Sequence, residues 1–471
     1  MRGRYLRMAG ALALASGSLV AGSLATGGLP ATASIAIKPM MVSKFVSARQ
    51  PVTEPQCEAL FTVPCYVPAQ LQTAYDEQPL FNSGITGAGQ TIVIVDAFGS
   101  PTIQADLATF DATFNLPAPP SFKIIQPAGK VPAWDPTGAD GDLGWAGETT
   151  LDVEWAHTMA PGANILLVET PVAETEGTAG FPQIVKAENY VISHHLGQVI
   201  SQSFGATEPT FPSAASILAL RSAYFNALKN HVTVLAATGD TGATGYSNVA
   251  GTLLYTHRAV DWPASDPLVT AVGGTQLSLL STGQRTQADR VWDDSTNYAL
   301  NNVFSGSPGP APLATGGGLS AVFDRPSYQD SVAGVVGQQR GTPDIAMSGA
   351  CSGLVNTYQT FPGEPAGWYV TCGTSEATPL FAGIVALADQ VAGHSLGLIN
   401  PALYAMSAAH APGLVDVTAG NNSVSFLQPT LVTVKGYAAG PGYDLASGVG
   451  TVDAALFVPE LAQASGGGYG G

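Results

Sequence analysis

Residues 371–379 read TCGTSEATP and run straight into LFAGIVALADQVAG, residues 380–393. The apolar run is long enough for a helix and closes on a glycine. Pro379 has no N–H, and a helix accepts a proline without loss only in its first turn. The pattern therefore predicts a helix that begins near Ser375. A hydroxyl placed there stands beside unpaired backbone N–H groups and the positive end of the helix dipole. Such a site can steady a developing anion. A serine hydroxyl is nevertheless a weak nucleophile and needs a base to take its proton. No histidine lies near this serine, so the base has to come from elsewhere in the chain.

Upstream, short apolar runs alternate with helical patterns. GQTIVIVDAFG, ANILLVE, QVISQSFG, VTVLAATGD and LVTAVGG read as strands, and PAQLQTAY, LDVEWAHTMA, IVKAENYVISHH and SAASILALRSAYFNALKN read as helices. Continuous apolar strands separated by helices indicate a parallel sheet covered on both faces. The expected fold is α/β, one domain over residues 66–460. Functional groups of such sheets gather at the carboxyl ends of strands. Asp96, Glu169 and Asp240 lie at such ends, although acids there are most often turn formers.

The chain has 471 residues, 45% hydrophobic and only 11% charged, with a net charge of −17. That composition supports a large core and argues against a disordered chain. So acidic a protein is a poor partner for nucleic acid or an anionic membrane surface. Arg2, Arg4 and Arg7 precede an apolar Ala/Leu/Gly run, and Ala31-Thr32-Ala33 offers a small-x-small cleavage site. Residues 1–33 are thus expected to be a secretory signal peptide rather than an anchor, leaving a secreted chain with no membrane association. Four cysteines fit that route. Cys57 with Cys65 and Cys351 with Cys372 make the simplest of three possible pairings, and their spacing matches no zinc motif. Residues 34–65 are expected to form a short arm or linker, and 461–471 a Gly-rich flexible tail.

Two carboxylates offer themselves as the base. Glu148 and Asp152, in GETTLDVEWAH (147–157), are four residues apart and share a helix face, about 40° from each other. Acids near a helix start are common for their interaction with the dipole, so E-x-x-x-D alone is weak evidence. His157 is the rival, since it would complete a Ser-His-Asp set with Asp96 and Ser375. It sits nine residues past Glu148, rotated by about 180° on the same helix. If Glu148 faces the cleft, His157 faces away and serves a structural hydrogen bond.

Taken together the motifs resemble the sedolisin family of serine-carboxyl peptidases, which have a subtilisin-like fold. ETTLDVEWAHTMAPGANILLVE, VISQSFGATE, LAATGDTG, ASDPLVTAVGGT, TPDIAMSG and GTSEATPLFAGIVAL occur in family order between about Tyr66 and Thr451. The resemblance implies a three-layer subtilisin-like fold with a mostly parallel central sheet flanked by helices. It implies Ser375 as nucleophile, Glu148 as general base and then acid, Asp152 as its support and Asp240 as a donor to the oxyanion. Asp96 falls outside that catalytic group. A carboxylate base stays usable in acid, where a histidine would be protonated. Asp240 can donate to an oxyanion only while protonated, and Glu148 and Asp152 should titrate as a pair.

DVTAGNN (416–422) and AAGPGYD (438–444) bring two carboxylates together with turn-forming glycines. The family resemblance reads these as one structural Ca²⁺ site, with Asp416 and Asp444 through side chains and Val417, Gly440 and Gly442 through carbonyls. Calcium takes six to eight such oxygens. The chain departs from the family in one respect: residues 34–65 are too short to fold as the prodomain that members usually carry. The expected activity is that of a secreted, monomeric, acid-acting peptidase on protein or peptide substrates, an endopeptidase as the commoner form, with tripeptidyl-peptidase activity left open. Two other readings stand beside it, a neutral subtilisin-like Ser-His-Asp peptidase and a secreted non-catalytic scaffold protein.

Overall fold

The computed structural model describes residues 41–138, 141–305 and 309–465; the expected signal peptide lies outside the described residues. Strands Phe122–Ile125, Asn164–Thr170, Thr91–Ala97, Val199–Gln202, Thr233–Ala237 and Thr270–Gln276 lie side by side in that order, all parallel. Ile345–Ser348 adds another parallel strand against Thr270–Gln276, and the short Arg290–Val291 pairs with it antiparallel. Parallel neighbours need crossover connections, and the helices supply them.

Side-chain alternation explains why both faces are covered. Ile92 and Ile94 belong to one core, while Val93 and Val95 belong to the other; Ile165 and Leu167 alternate with Leu166 and Val168 in the same way. Helices Asp142–Met159 and Thr374–Ala392 build the first core. Helices Phe181–Ser193 and Ser222–Asn230 build the second. The three-layer α/β expectation is met. Leu380, Ile384 and Leu387 are fully buried along the first core, each contributing roughly 1.5–3 kcal/mol. Gly383 lets the two helices of that layer approach: a Cβ there would fall 2.4 Å from Met159 Cβ.

Four expectations change. The helix expected over 213–230 is two helices, Ala214–Leu218 and Ser222–Asn230. Arg221 stands at the break, where its guanidinium donates to both oxygens of buried Asp266 at 2.6 and 2.8 Å and covers the Phe225 and Phe323 rings. This long-range ion pair overrides a locally helical sequence. Pro379 lies in the second turn of its helix, not the first, because that helix starts at Thr374. The last helix, Ala454–Ser465, extends into the stretch expected as flexible tail.

The fourth change concerns the N-terminal arm. Strand Val42–Ser47 pairs antiparallel with Gly367–Cys372, placing Val42 opposite Cys372. Gly367–Cys372 pairs with Leu354–Gln359, which in turn pairs with Cys65–Tyr66, giving a second, four-stranded sheet. Helix Glu54–Phe61 is clamped by the Cys57–Cys65 disulfide, and Cys351–Cys372 forms the other, so both expected local pairings are present. Val52, Cys57, Phe61 and Cys65 pack in one cluster with Trp292, Leu354 and Val370. The described part of the arm is built into the domain.

Candidate active site

Ser375 is the second residue of helix Thr374–Ala392, at its N-terminus as expected. Gly373 turns the chain into that helix with φ 137°, where a side chain would be strained, and a Cβ there would lie 2.6 Å from Asp240 Oδ2. Pro379 removes the helical donor to the Ser375 carbonyl. The Ser203 hydroxyl lies 3.4 Å from that carbonyl, but its better bond goes to Asp152 Oδ1 at 2.8 Å.

Asp240 follows the carboxyl end of strand Thr233–Ala237. Its Oδ1 accepts from the Thr374 N–H at 2.7 Å and from the Thr374 hydroxyl at 2.8 Å, while Oδ2 is buried without a partner. Burial pushes its pKa up to about 7, against the two Thr374 bonds, which favour the charged form.

Glu148 and Asp152 are fully buried on helix Asp142–Met159. Burial holds Glu148 well above the ordinary carboxylate range; the Ser375 hydroxyl opposes that, and Asp96, Asp240 and Glu174 reinforce it. Neither Glu148 oxygen has a hydrogen bond of good distance and angle, so the Ser375 contact is one of proximity rather than a formed bond. Burial likewise raises Asp152, helped by Asp96 and Glu148 and countered by Ser203. The two acids share this dry space with no cation among the groups acting on them. They therefore titrate together, and protonation is the way the cluster relieves its repulsion.

Asp96 stands in register with Glu169 on the neighbouring strand, and burial pushes it up to about 7. Its charge raises both members of the Glu148–Asp152 pair. Ser203 went unnoticed in the sequence; its place just after strand Val199–Gln202 was the available signal. Glu154 points elsewhere, accepting from the Tyr358 N–H at 3.1 Å.

His157 is fully buried, with Nε2 2.7 Å from the Pro117 carbonyl and 3.4 Å from Asp111 Oδ1. Burial lowers its pKa to about 4 and raises that of Asp111 to about 7. Between those values both groups are neutral, so the short separation is no ion pair. The ring is committed to a structural hydrogen bond, as its helical position predicts.

Near the C-terminus, Asp416 Oδ2 accepts from the Gly442 N–H at 2.8 Å, and Asp444 Oδ2 from the Gly440 N–H at 3.2 Å. The Ser447 hydroxyl bridges Asp444 Oδ1 at 3.1 Å and the Val417 carbonyl at 3.4 Å. Among the described residues no three His, Cys, Asp or Glu side chains cluster as a metal site. Two carboxylates held on one loop, Asp416 by the Gly442 N–H and Asp444 by the Gly440 N–H, with Ser447 linking Asp444 to the Val417 carbonyl, offer part of the mixed oxygen set that calcium takes.

Several known proteins are similar to this chain. The sequence pattern of the subtilase family matches residues 143–428. Kumamolisin from Bacillus sp. (strain MN-32) is 32% identical over 394 residues, covering 82% of this chain and 62% of kumamolisin. Sedolisin from Pseudomonas sp. (strain 101) is 30% identical, covering 82% and 60% of the two chains. Human tripeptidyl-peptidase 1 is 30% identical over 64% of this chain and 50% of its own. The chain thus spans less than two thirds of the length of these relatives. A solved structure of Pseudomonas sedolisin, a serine-carboxyl proteinase complexed with pseudo-iodotyrostatin, superposes with a TM-score of 0.66 at 26% identity, covering 85% of this chain and 99% of that one.

Proposed function

The chain belongs to the subtilase family, in its sedolisin branch with a subtilisin-like fold, and from that premise we propose that it is a secreted serine-carboxyl peptidase working in acid. Glu148, ionised while Asp152 carries the one proton that the pair shares, takes the Ser375 proton as the hydroxyl attacks the scissile carbonyl, and the protonated Glu148 then returns it to the leaving amine. Asp152, held by Ser203, orients Glu148 and shares its proton. Protonated Asp240 donates from Oδ2 to the oxyanion. Water attacks the resulting acyl-enzyme by the same route in reverse. The observation that carries this reading is the convergence of Ser375, Glu148, Asp152 and Asp240 in one buried cluster, while His157 is bonded elsewhere.

Endopeptidase action on proteins or peptides, by a monomer, is the form proposed. Export is supported by the basic start and apolar run before Ala33. No helix among the described residues is long and apolar enough to cross a membrane. One Ca²⁺ held by Asp416, Asp444 and the carbonyls of Val417, Gly440 and Gly442 would tie the C-terminal loops together. The test is covalent labelling with a serine-directed phosphonate at about pH 4, followed by peptide mapping. Stoichiometric label on Ser375 supports the reading. Label elsewhere, or none on a folded protein that also cleaves no peptide, overturns it in favour of a non-catalytic scaffold.

A further inference from the structure

The described arm, which precedes helix Pro68–Ala74, reaches the proposed site. Met41 is wedged between the two elements that present the proposed base and nucleophile. A Cβ on Gly147, the residue before Glu148, would lie 2.5 Å from Met41 Cε. A Cβ on Gly373, two residues before Ser375, would lie 3.6 Å from Met41 Cα. From there strand Val42–Ser47 runs away along Gly367–Cys372. Between this strand and the N-terminal end of helix Asp142–Met159 lies a cavity of about 510 Å³, lined by Met41, Phe45, Gly144, Gly147, Glu364 and Tyr369 among others. That volume falls within the range of ligand sites.

We propose that this cavity is the subsite for the leaving half of the substrate, so that the N-terminal arm is part of the peptidase's binding site. The inference rests on the peptidase reading above. Its argument is directional. In acyl transfer the acyl half stays on Ser375, while the amine departs past the residue that protonates it. The cavity begins beside Glu148, at Gly147, and continues along the same helix past Gly144. A chain departing from Glu148 in that direction enters the space between helix and arm. Among the described residues Val42–Ser47 is also the edge strand of its four-stranded sheet, and its outer backbone groups have no strand partner among them. Extended peptides add to such edges through main-chain hydrogen bonds. The Met41 methyl fills the space over Gly147, while Gly144, one turn earlier, leaves the facing helix surface without a side chain, which allows close approach of a peptide backbone. Phe45, packed edge-on to Tyr369 at 5.4 Å, supplies an apolar wall; of the two charged lining residues, Lys44 donates its ammonium to the Val303 carbonyl at 3.4 Å, and exposed Glu364 supplies the acidic group at the rim. The chemistry suits an extended peptide with apolar residues after the scissile bond and a basic one further on.

The arm is anchored well enough to serve. Asn356 bonds both the N–H and the carbonyl of Val52, and the Cys57–Cys65 disulfide closes the segment onto the domain. The test uses two substrate sets with one common acyl half: peptides whose leaving halves carry Lys or Glu, and a 4-nitroanilide with no leaving residues. Glu364→Lys should invert the Lys-over-Glu preference by roughly tenfold, and Met41→Trp should lower the ratio of peptide to anilide turnover by roughly tenfold through KM. Glu364 is exposed, so its variant keeps the test alive if Met41→Trp folds poorly. Unchanged preferences and ratios in both variants, with wild-type protein active on both sets, overturn the subsite alone. A wild type that cleaves neither set overturns the peptidase reading and the subsite with it.

Discussion

Asp240 offers two separable jobs to one side chain, and two substitutions pull them apart. Its Oδ1 is held by the Thr374 N–H and hydroxyl at 2.7 and 2.8 Å, and its bare Oδ2 faces the Gly373 turn that leads to Ser375. With a pKa pushed up to about 7, the carboxyl is about 99% protonated at pH 5 but only about 10% at pH 8. The proton on Oδ2 is thus present in acid and gone above neutrality. Asp240→Ala deletes the donor and should lower kcat by about 10²–10³, or ~3–4 kcal/mol of transition-state stabilisation. It also strands the buried Thr374 N–H, at a cost of about 1–3 kcal/mol in stability. Asp240→Asn keeps an acceptor toward Thr374 and an N–H donor in place of Oδ2, with nothing left to titrate. It should retain most of the acid activity and lose the part of the alkaline limb that belongs to this carboxyl. The assay is kcat on one peptide from about pH 3 to about pH 8, with a thermal midpoint for each variant. An Asp240→Ala enzyme within about twofold of wild type in acid would refute the oxyanion role, because no other assigned side chain supplies that hydrogen bond.

Three further outcomes follow from packing and burial. Glu188 is buried with both oxygens unpartnered, and burial pushes it from 4.5 to about 8. Its folded form holds a proton that the unfolded chain releases, so its stabilising contribution is whole below about pH 4.5 and is lost as pH rises through about 8. Glu188→Gln should therefore flatten the fall in unfolding free energy over that window by ~3–5 kcal/mol in chemical denaturation, and an unchanged slope would count against it. Gly383→Ala drives a methyl into Met159 and should destabilise by ~1–3 kcal/mol despite a helix-propensity gain of ~1 kcal/mol. It should also lower kcat/KM, since the two helices it separates carry Ser375 and Glu148; a more stable, equally active variant would contradict this. Chelation by EDTA should lower the thermal midpoint of wild type by several degrees and leave Asp416→Asn unmoved, whereas equal midpoints in wild type with and without chelator would remove the ion.

The central layers were legible because their signals are local. Strands such as TIVIVDA alternate between two cores, and that alternation is written in adjacent residues. The E-x-x-x-D spacing on one helix face, and the half-turn that carries His157 away from it, follow from helical geometry alone. The rest depended on partners far along the chain. Arg221 breaks a helix because Asp266 waits for it forty-five residues on. The arm looked like a linker because its strand partner, Gly367–Cys372, lies more than three hundred residues away. Asp96 acts on the Glu148–Asp152 pair from a strand, and its own pKa is raised by burial and then by Glu169 on the adjacent strand, none of which spacing reveals. Ser203 is one polar residue at a strand end, and only the fold turns it toward Asp152.

The account stands most directly on the identity of the base. The deciding measurement is kcat/KM for one peptide from about pH 2 to about pH 8, on wild type, Glu148→Gln and His157→Gln. A carboxylate base predicts activity confined to acid, lost in Glu148→Gln and retained in folded His157→Gln. Activity that peaks near pH 8, survives Glu148→Gln and vanishes in His157→Gln would contradict it.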